Sequence, residues 1–424
     1  MTQARTQGSE EVFASTNDAE IPAEIVREAQ DLARGTEVLP EGYMALARRI
    51  YSAKRAGRKL RVKFGVDPTS MDLHLGHAVI LNKLKAFQQC GHQVVLIIGG
   101  FTAQVGDPSG RSTTRPQLTA QQVEENAQTY LNQVGIILDT ANMEIVNNSD
   151  WLAPLNLADL LKLASQVTAN QLLAKEAFGD RLDKQQPVHF HELFYPLLQA
   201  YDSIAIKADI EFGGTDQRFN LLMGRELQPS YGQESQLAIV CPLLEGTDGE
   251  KKMSKSFNNY IALKDEPTEM FGKCMRIPDH LILKYFELAT RLAGEEIGKI
   301  KIHLESGANP KEVKERLGRQ IVTQYHGAEA AEKAVNQWNQ VHSQKQAPDE
   351  MPSYVVKEPT ALFRLVVDSG LASGSGEAKR LIQEGGVRLD NDQIKNPNQI
   401  VELEPGAAKV LQVGRRKFVR LTSG

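Results

Sequence analysis

The fold is decided by residues 60–100, whose sequence is LRVKFGVDPTSMDLHLGHAVILNKLKAFQQCGHQVVLIIGG. Apolar and polar side chains alternate over Leu60–Val66, which predicts a β-strand. Ala78–Phe87 carries apolar residues at helical spacing, and Val94–Ile98 is a continuous apolar run of the kind found in strands buried on both faces. A strand, a helix and a second strand with short connections form a βαβ unit, which predicts a parallel sheet.

The remaining chain extends this pattern. Leu237–Val240 is a further candidate for a buried strand, so we expect a doubly wound parallel α/β sheet that binds its ligand at the carboxyl ends of the strands. Residues 263–342 have a helical pattern with charged faces. Residues 344–359 carry three prolines, which predicts a linker.

The C-terminal residues predict a small α+β module. Amphipathic helices are expected near Thr360–Ser369 and Ser375–Glu384, the second capped by Ser375, and short strands follow between turn residues. From residue 360 onwards there are 10 Lys and Arg against 7 Asp and Glu, whereas the whole chain has a net charge of −4. Any RNA binding is therefore expected to be local to such a module.

Composition excludes several classes of protein. The chain has 424 residues, 41% of them hydrophobic, which suggests two to four domains. No apolar run approaches the ~20 residues needed to cross a bilayer, and the polar N-terminus lacks a secretory signal. Three scattered cysteines, Cys90, Cys241 and Cys274, form no CxxC pair, which argues against a cysteine-based zinc site. We expect a cytoplasmic protein that binds no metal through its own side chains.

Two histidines follow the first predicted strand in the motif His74-Leu75-Gly76-His77. At i and i+3 they share one face at the start of a helix, where free N–H groups and the dipole favour phosphate. Gly76 has no Cβ to keep a nucleobase away from the backbone. The motif predicts a site for ATP; the alternative is a pair of surface histidines near a helix start.

Two lysines stand three apart in the polar loop TDGEKKMSKSFNN, residues 247–259. Lys252 and Lys255 on such a loop can fold over a polyphosphate and neutralise the charge that leaves with it. A solvated lysine run is the alternative interpretation, and the presence of HLGH in the same chain disfavours it.

HLGH and KMSKS together resemble the two ATP signatures of the class I aminoacyl-tRNA synthetases. Within that class the chain is similar, from residue 32 to residue 424, to the bacterial tyrosyl-tRNA synthetase family. Four segments in matching order and spacing carry this resemblance: FGVDPT at 64–69, GDPSG at 106–110, YPLLQAYD at 195–202 and GGTDQ at 213–217.

The resemblance implies a domain organisation and an activity. The expected parts are a flexible N-terminal tail (1–20), a Rossmann-like catalytic domain with a dimer-forming insertion (21–243), the KMSKS loop with an α-helical tRNA-binding domain (244–343), the linker (344–359) and a small RNA-binding domain (360–424). The implied reaction joins L-tyrosine to ATP, supplied with Mg²⁺, as tyrosyl-adenylate with release of pyrophosphate. The enzyme then transfers tyrosine to the 3′ end of tRNA(Tyr). A homodimer is implied.

Three rival functions remain at this stage. A tryptophanyl-tRNA synthetase is disfavoured by the YPLLQAYD segment and the C-terminal module. An adenylyltransferase with a non-tRNA acceptor is disfavoured by the combined KMSKS loop and RNA module. An RNA-binding or splicing protein that has lost catalysis is disfavoured by the intact motifs.

A polar stripe on one helix predicts the tyrosine site. Tyr195, Gln199 and Asp202 stand at i, i+4 and i+7, and such a stripe requires a polar ligand or an internal hydrogen-bond network. By resemblance, Asp202 accepts a hydrogen bond from the substrate phenol, while Tyr195 and Gln199 hold the substrate ammonium with Asp107. The full set that the resemblance assigns to tyrosine is Asp107, Asn148, Tyr195, Gln199, Asp202 and Gln217.

The resemblance also assigns catalytic and nucleotide-binding residues. The catalytic set is His74, His77, Lys252 and Lys255, and the ATP-binding set is Asp67, Thr69, Gly76, Arg111, Gly214, Asp216 and Lys255. Asp216 is expected on the ribose hydroxyls, and Thr69 and Arg111 on the phosphates. For Arg111, an ordinary basic loop is the alternative.

One pair of residues departs from the family pattern. Many members carry Tyr-Cys where this chain has Lys63-Phe64. A lysine cannot accept a hydrogen bond and phenylalanine has no polar group, so the partner that supports Asp202 is not evident from sequence. We hypothesise that a protonated Lys63 lies near Asp202 and keeps its carboxylate ionised.

The C-terminal segment Leu362–Val387 resembles an RNA-binding domain shared with a small-subunit ribosomal protein and pseudouridine synthases. Its basic residues are candidates for contact with backbone phosphate, and a solvated basic face is the alternative. The candidates are Lys379, Arg380, Arg388, Arg416 and Lys417.

Overall fold

The computed structural model describes residues 18–68, 72–108, 119–342, 351–404, 406–414 and 417–423. Three predicted site residues, Thr69, Arg111 and Arg416, lie outside these ranges, as does most of the predicted tail. The chain divides into two compact units, one comprising Met1–Asp265 with Arg276–Leu317 and the other Glu266–Met275 with Gly318–Gly424. The domain boundaries given above therefore remain predictions.

A six-stranded sheet forms the centre of the first unit. Its strands are β1 (Glu37–Leu39), β2 (Arg61–Val66), β3 (Gln93–Ile98), β4 (Glu144–Asn147), β5 (Ile210–Gly214) and β6 (Leu237–Cys241). They lie in the order β1-β6-β5-β2-β3-β4. All neighbours are parallel except β1, which runs antiparallel to β6 at the sheet edge. The predicted doubly wound parallel sheet is confirmed, with one antiparallel edge strand added.

The strand predicted from alternation is present as β2, and the strands predicted from apolar runs are present as β3 and β6. The other three were not predicted from sequence, and each has a physical reason. β1 has only three residues and follows a helical pattern, while β4 is partly exposed at an edge. β5 carries the charged Glu211 between its apolar residues and ends in two glycines, so its pattern does not indicate a buried strand.

Helices precede the C-terminal module in both units. In chain order they are α1 (Ala23–Ala33), α2 (Tyr43–Arg55), α3 (Leu75–Gln89), α4 (Thr102–Val105), α5 (Ala120–Val134), α6 (Ser149–Leu152), α7 (Leu157–Ala164), α8 (Ala169–Leu173), α9 (Glu176–Asp183), α10 (Tyr195–Ala205), α11 (Arg218–Leu227), α12 (Pro267–Arg276), α13 (Ile282–Ala289), α14 (Gly294–Glu305), α15 (Pro310–His326) and α16 (Ala328–His342). α3 begins three residues before the predicted helix because His74 forms its N-terminal cap. Within the described ranges, no helix is long and apolar enough to cross a membrane.

The C-terminal module is α+β, as predicted. Its helices are α17 (Leu362–Asp368) and α18 (Ser375–Gln383), and its strands are β7 (Ser353–Val356), β8 (Thr360–Ala361), β9 (Val387–Leu389), β10 (Asp392–Ile394), β11 (Ile400–Val401), β12 (Ala408–Val413) and β13 (Lys417–Ser423). Five strands form a sheet in the order β10-β9-β12-β13-β7, and β11 pairs with β8. β7 falls within the segment that was predicted to be a linker.

The predicted cap of α18 is wrong. The capping residue is Gly374, and Ser375 is the first helical residue. Ser373 acts at this helix start instead, because its backbone N–H and its hydroxyl both donate to the Glu377 carboxylate, at 2.8 and 2.5 Å. Ser373 and Ser375 are separated by a single glycine, and serine is favoured at helix starts, so the sequence pattern alone does not show which of the two acts there.

A buried ion pair joins the centre of the sheet to α10. Lys63 of β2 and Glu211 of β5 are register partners, and both are almost fully buried. The Lys63 ammonium lies 2.8 Å from the Glu211 carboxylate and donates to Gln199 O and Ser203 Oγ, at 2.8 and 2.7 Å. Lys63 is therefore fully satisfied in an apolar core. Its direct anionic partner is Glu211. The charge of Lys63 also lowers the pKa of Asp202, in the direction hypothesised from sequence, although burial has the larger effect and raises it.

We expect Lys63→Met and Glu211→Gln each to lower the free energy of unfolding by about 3–5 kcal/mol, since each leaves an unpaired buried charge. The double variant Lys63→Met/Glu211→Gln removes both charges and should cost less than the two single changes added together. Urea-induced unfolding measures this, with the exposed Lys59→Met as control. Additive losses would contradict the pairing.

Candidate active site

A cavity of about 980 Å³ opens at the carboxyl ends of the parallel strands. It is lined by every described residue to which the sequence assigned catalysis, ATP or tyrosine: Asp67, His74, Gly76, His77, Asp107, Asn148, Tyr195, Gln199, Asp202, Gly214, Asp216, Gln217, Lys252 and Lys255. These residues come from segments spread over nearly 200 positions. The structure brings them together in one place, while their individual roles remain predictions.

The two histidines stack at the start of α3. Their ring centroids lie 3.9 Å apart, and the backbone N–H of His74 donates to Nδ1 of His77 at 3.3 Å. Nδ1 of His77 therefore acts as an acceptor, which places a hydrogen on Nε2. Burial lowers the pKa of His74 to about 3, with a smaller contribution from His77, and burial lowers that of His77 to about 4. Both rings are neutral at pH 7 and offer N–H donors.

Gly76 permits the close approach of two neighbours. A Cβ at this position would lie 3.0 Å from the His74 ring and 3.6 Å from Cβ of Met253. From sequence, this space was predicted to admit a nucleobase. In the structure, the atoms that a side chain would meet are those of the first histidine and of the KMSKS loop, so Gly76 allows these two motifs to pack together.

A short antiparallel bridge holds the chain after the KMSKS loop against the start of α3. His74 is the bridge partner of Ala262, and the N–H of Leu75 donates to Ile261 O at 3.0 Å. The N–H of Leu263 donates to Leu73 O at 2.9 Å. These backbone bonds place the lysine loop beside the imidazole pair.

Asn259 organises the KMSKS loop from its C-terminal end. Its Oδ1 accepts from the Ser254 N–H at 2.8 Å, and its Nδ2 donates to Asp248 at 2.8 Å. The loop lysines, Lys252 and Lys255, are both about half exposed. Lys252 Nζ is 3.9 Å from Asp216, and Lys255 Nζ is 2.5 Å from Asp72.

Asp202 has two donors that sequence reasoning did not assign to it. Nε1 of Trp151 donates to Oδ1 at 2.8 Å, and Nδ2 of Asn148 donates to Oδ2 at 3.2 Å. Burial raises the pKa of Asp202 to about 6, against the opposing charge of Lys63 and these two donors. Asn148 was expected in the pocket, whereas Trp151 was missed, although it stands in the same NNSDW segment.

Tyr195 of α10 is hydrogen-bonded across the cavity to Asp67, which follows β2. Its hydroxyl donates to Oδ2 of Asp67 at 3.0 Å, and Oδ1 of Asp67 accepts from Thr102 at 2.8 Å. A Cβ on Gly99 would lie 2.0 Å from Asp67, so glycine is required there. At the other side, Nε2 of Gln217 donates to Asp107 at 2.6 Å.

The candidate RNA-binding residues lie in the C-terminal module. Lys379 and Arg380 are on α18, Arg388 is on β9 and Lys417 begins β13. All four have contacts within the module, and Nη1 of Arg380 lies 3.6 Å from Oε1 of Glu384. The Lys379 ammonium lies 4.6 Å from the Phe363 ring centroid, Arg388 donates to Asn391 O at 3.0 Å, and Lys417 donates to Leu371 O at 3.1 Å.

Comparison with known proteins agrees with this geometry. The family described as tRNA synthetases class I (W and Y) matches residues 54–343, and the S4 domain matches residues 362–406. A tyrosine–tRNA ligase of Carboxydothermus hydrogenoformans is 47% identical over 412 residues, covering 94% of this chain and 98% of that protein. The tyrosine–tRNA ligase of Thermotoga maritima is 49% identical over 372 residues, covering 88% and 92%. The chain belongs to the class I tyrosine–tRNA ligases.

Solved structures share the fold of this synthetase. A C-terminally truncated mitochondrial tyrosyl-tRNA synthetase of Aspergillus nidulans aligns with a TM-score of 0.61 at 22% identity, covering 75% of this chain and 94% of that one. The tyrosyl-tRNA synthetase of Archaeoglobus fulgidus, complexed with L-tyrosine, aligns with a TM-score of 0.58 at 22% identity, covering 73% and 99%. The family resemblance drawn from the motifs is confirmed.

We expect tyrosine binding by the synthetase to weaken as the pH falls below about 6, because the raised pKa of Asp202 makes its carboxylate protonate in this range. If only the ionised form accepts the phenol hydrogen, the apparent KM for tyrosine rises roughly tenfold from pH 7 to pH 5. The control is inhibition by phenylalanine, which has no hydroxyl, so its binding should not weaken over the same range. Parallel changes for both amino acids would contradict this role of Asp202.

Proposed function

We propose that this cavity carries out both steps of tyrosine–tRNA ligation with the residues described above. The observation that carries the proposal is the convergence, in one cavity, of the imidazole pair, the loop lysines and the buried Asp202. In the first step the tyrosine carboxylate oxygen bonds to the α-phosphorus of ATP as the bond to pyrophosphate breaks. In the second step a hydroxyl oxygen at the 3′ end of tRNA(Tyr) bonds to the tyrosyl carbonyl carbon and loses its proton to solvent, as the bond from that carbon to the phosphate oxygen of AMP breaks.

Charge stabilisation is assigned to the imidazole pair and the loop lysines. Neutral His74 and His77 donate N–H groups to phosphate oxygens without a desolvation cost for a buried cation. Lys252 and Lys255 exchange their carboxylate contacts at the cavity rim for contacts with phosphates. Exposed ion pairs are worth little, so this exchange requires little free energy.

The nucleotide and the amino acid occupy different parts of the cavity. Asp216 and Gly214 hold the ribose, and Asp67 lies between nucleotide and tyrosine. Thr69 and Arg111, outside the described residues, are assigned to the phosphates. Asp202 accepts the phenol hydrogen, so phenylalanine would leave a buried carboxylate without that donor, which disfavours it.

Mg²⁺ is assigned to the nucleotide. Among the described residues there is no cluster of three or more His, Cys, Asp or Glu side chains suited to hold a metal ion. Mg²⁺ prefers oxygen ligands and usually keeps several waters while it binds substrate phosphates. We propose that it enters as the ATP complex, with the phosphates as its main ligands.

The C-terminal module is assigned to tRNA. The S4 match and the exposed Lys379, Arg380 and Arg388 support phosphate contacts there, together with Lys417 and with Arg416, which is outside the described residues. Cytoplasmic location is proposed with it, because tRNA charging needs tRNA and ATP in one compartment and the three cysteines are free thiols.

A homodimer is proposed from an apolar surface of the first unit. Leu157 and Leu161 of α7, at i and i+4, are 72% and 62% exposed, and Phe190 of the same unit is 74% exposed. Large apolar side chains exposed at helical spacing are typical of an interface with another chain. This surface lies within residues 21–243, the catalytic domain that was predicted to contain a dimer-forming insertion.

The test of the proposed function is pyrophosphate exchange into ATP, measured separately with each of the twenty amino acids. We expect exchange with tyrosine alone, and charging of tRNA(Tyr) by the same preparation. Exchange with tryptophan, or with no amino acid, contradicts the proposal. Asp202→Ala serves as the matched variant, and it should lose the preference for tyrosine over phenylalanine.

A further inference from the structure

Three side-chain amides form a continuous hydrogen-bonded chain at one end of the cavity. Asn220 is fully buried on α11, and its Nδ2 donates to Oε1 of Gln199 at 2.8 Å and to Oε1 of Gln217 at 2.9 Å. Gln199 and Gln217 line the cavity, whereas Asn220 lies behind them. The position of Asn220 therefore bears on two groups that face the substrate.

The direction of this amide chain is set by charged groups at its ends. An amide can exchange the places of its oxygen and nitrogen, so a partner that only donates or only accepts decides its orientation. Nζ of Lys175, which only donates, is 2.9 Å from Oδ1 of Asn220. Carboxylates only accept. Asp107 accepts from Nε2 of Gln217 at 2.6 Å, and Glu211 accepts from Nε2 of Gln199 at 3.0 Å.

Lys175 is an unusual group to find at this place. It caps the start of α9, is only 3% exposed, and its ammonium lies within 6 Å of the ring centroids of Phe178 and Phe219. Asp107 is 3.9 Å from it. Burial lowers its pKa to about 8, while Asp107 and Asp216 oppose this shift. Burying an ammonium is costly, so a lysine here calls for a role beyond packing.

We propose that Lys175 is a positioning residue that acts through Asn220 to hold Gln199 and Gln217 in the orientation that receives the amino-acid end of tyrosine. In this orientation the nitrogen of each glutamine side chain donates to a carboxylate, and the oxygen of each accepts from Asn220. Oε1 of Gln199 and the Asp107 carboxylate are then acceptors, and an ammonium group, which only donates, can bind to them. Lys175 does not line the cavity and does not touch the reacting atoms. This inference rests on the proposed assignment of this end of the cavity to the substrate ammonium.

The first test is Lys175→Met, which keeps an unbranched side chain and removes the donor. We expect the KM for tyrosine in pyrophosphate exchange to rise roughly tenfold to a hundredfold, the range for losing hydrogen bonds to a charged group. kcat should stay within about threefold, because the ammonium contacts are made equally in the ground state and the transition state. A fall in kcat at unchanged KM overturns the proposal.

A second measurement separates positioning from a structural role. The des-amino analogue of tyrosine, 3-(4-hydroxyphenyl)propionate, has the phenol and carboxylate but no ammonium. The ratio of its dissociation constant to that of tyrosine should fall at least tenfold in Lys175→Met, through weaker binding of tyrosine alone. Retained binding of the analogue shows that the pocket is folded. Equal weakening of both ligands shows a structural role and overturns the proposal.

The remaining variants test the route and the controls. Asn220→Ala should reproduce the effect, and the double variant with Lys175→Met should lose little more than either single change; a multiplied loss would mean that Lys175 acts independently of Asn220. Lys175→Arg keeps a cationic donor and should restore part of the ligand ratio, whereas no restoration counts against the donor role. Exposed Lys184→Met, at the end of α9, should leave the ratio unchanged.

Asp107→Asn distinguishes this inference from the proposed function. If Asp107→Asn lowers the ligand ratio and Lys175→Met does not, only the role of Lys175 is wrong. If Asp107→Asn leaves the ratio unchanged while wild-type exchange with tyrosine is present, the assignment of the ammonium site is wrong, and the proposal for Lys175 fails with it.

Discussion

The active site depends on a few backbone hydrogen bonds between residues 73–75 and 261–263. The antiparallel bridge between His74 and Ala262 joins the start of α3 to the chain that follows the KMSKS loop. The loop is also held by the N–H of Met253, which donates to Leu244 O at 2.8 Å, whereas the loop lysines make only exposed ion pairs of small value. The bridge therefore places the loop beside the imidazole pair, while the two lysine side chains stay about half exposed.

Buried charged side chains that do not line the cavity hold several of the residues that do. Lys63 with Glu211 joins α10 to the sheet, and Lys175 directs Asn220, so both glutamines that face the cavity are oriented by lysines that do not line it. A low-dielectric surrounding strengthens these hydrogen bonds and makes an unpaired member costly. These contacts explain how the chain manages without the Tyr-Cys pair at Lys63-Phe64. Asp202 accepts hydrogen bonds from Trp151 and Asn148 instead, and Lys63 binds the helix that carries Asp202.

The parts of the structure that sequence predicted are those with a local signal. HLGH and KMSKS were found because their residue types and spacing have a local physical meaning. β2 was found from its alternation, and β3 and β6 were found because strands buried on both faces require apolar runs. Trp151, Lys175 and Asn220 could not be found in this way. Their roles depend on partners far away in sequence, such as Asp202, which lies 51 positions from Trp151. β5 was missed because it contains Glu211, a charged residue that can be buried only because Lys63 on β2 pairs with it. That pairing is not visible in the local sequence.

The most direct test of the central claim is the single-turnover rate of tyrosyl-adenylate formation in His77→Ala and Lys252→Met, with ATP and tyrosine affinities measured on the same samples. If both groups converge on the phosphates as charge develops, each change slows the step roughly a hundredfold and leaves both affinities nearly unchanged. An unchanged rate, or a loss confined to the affinities, would contradict the account.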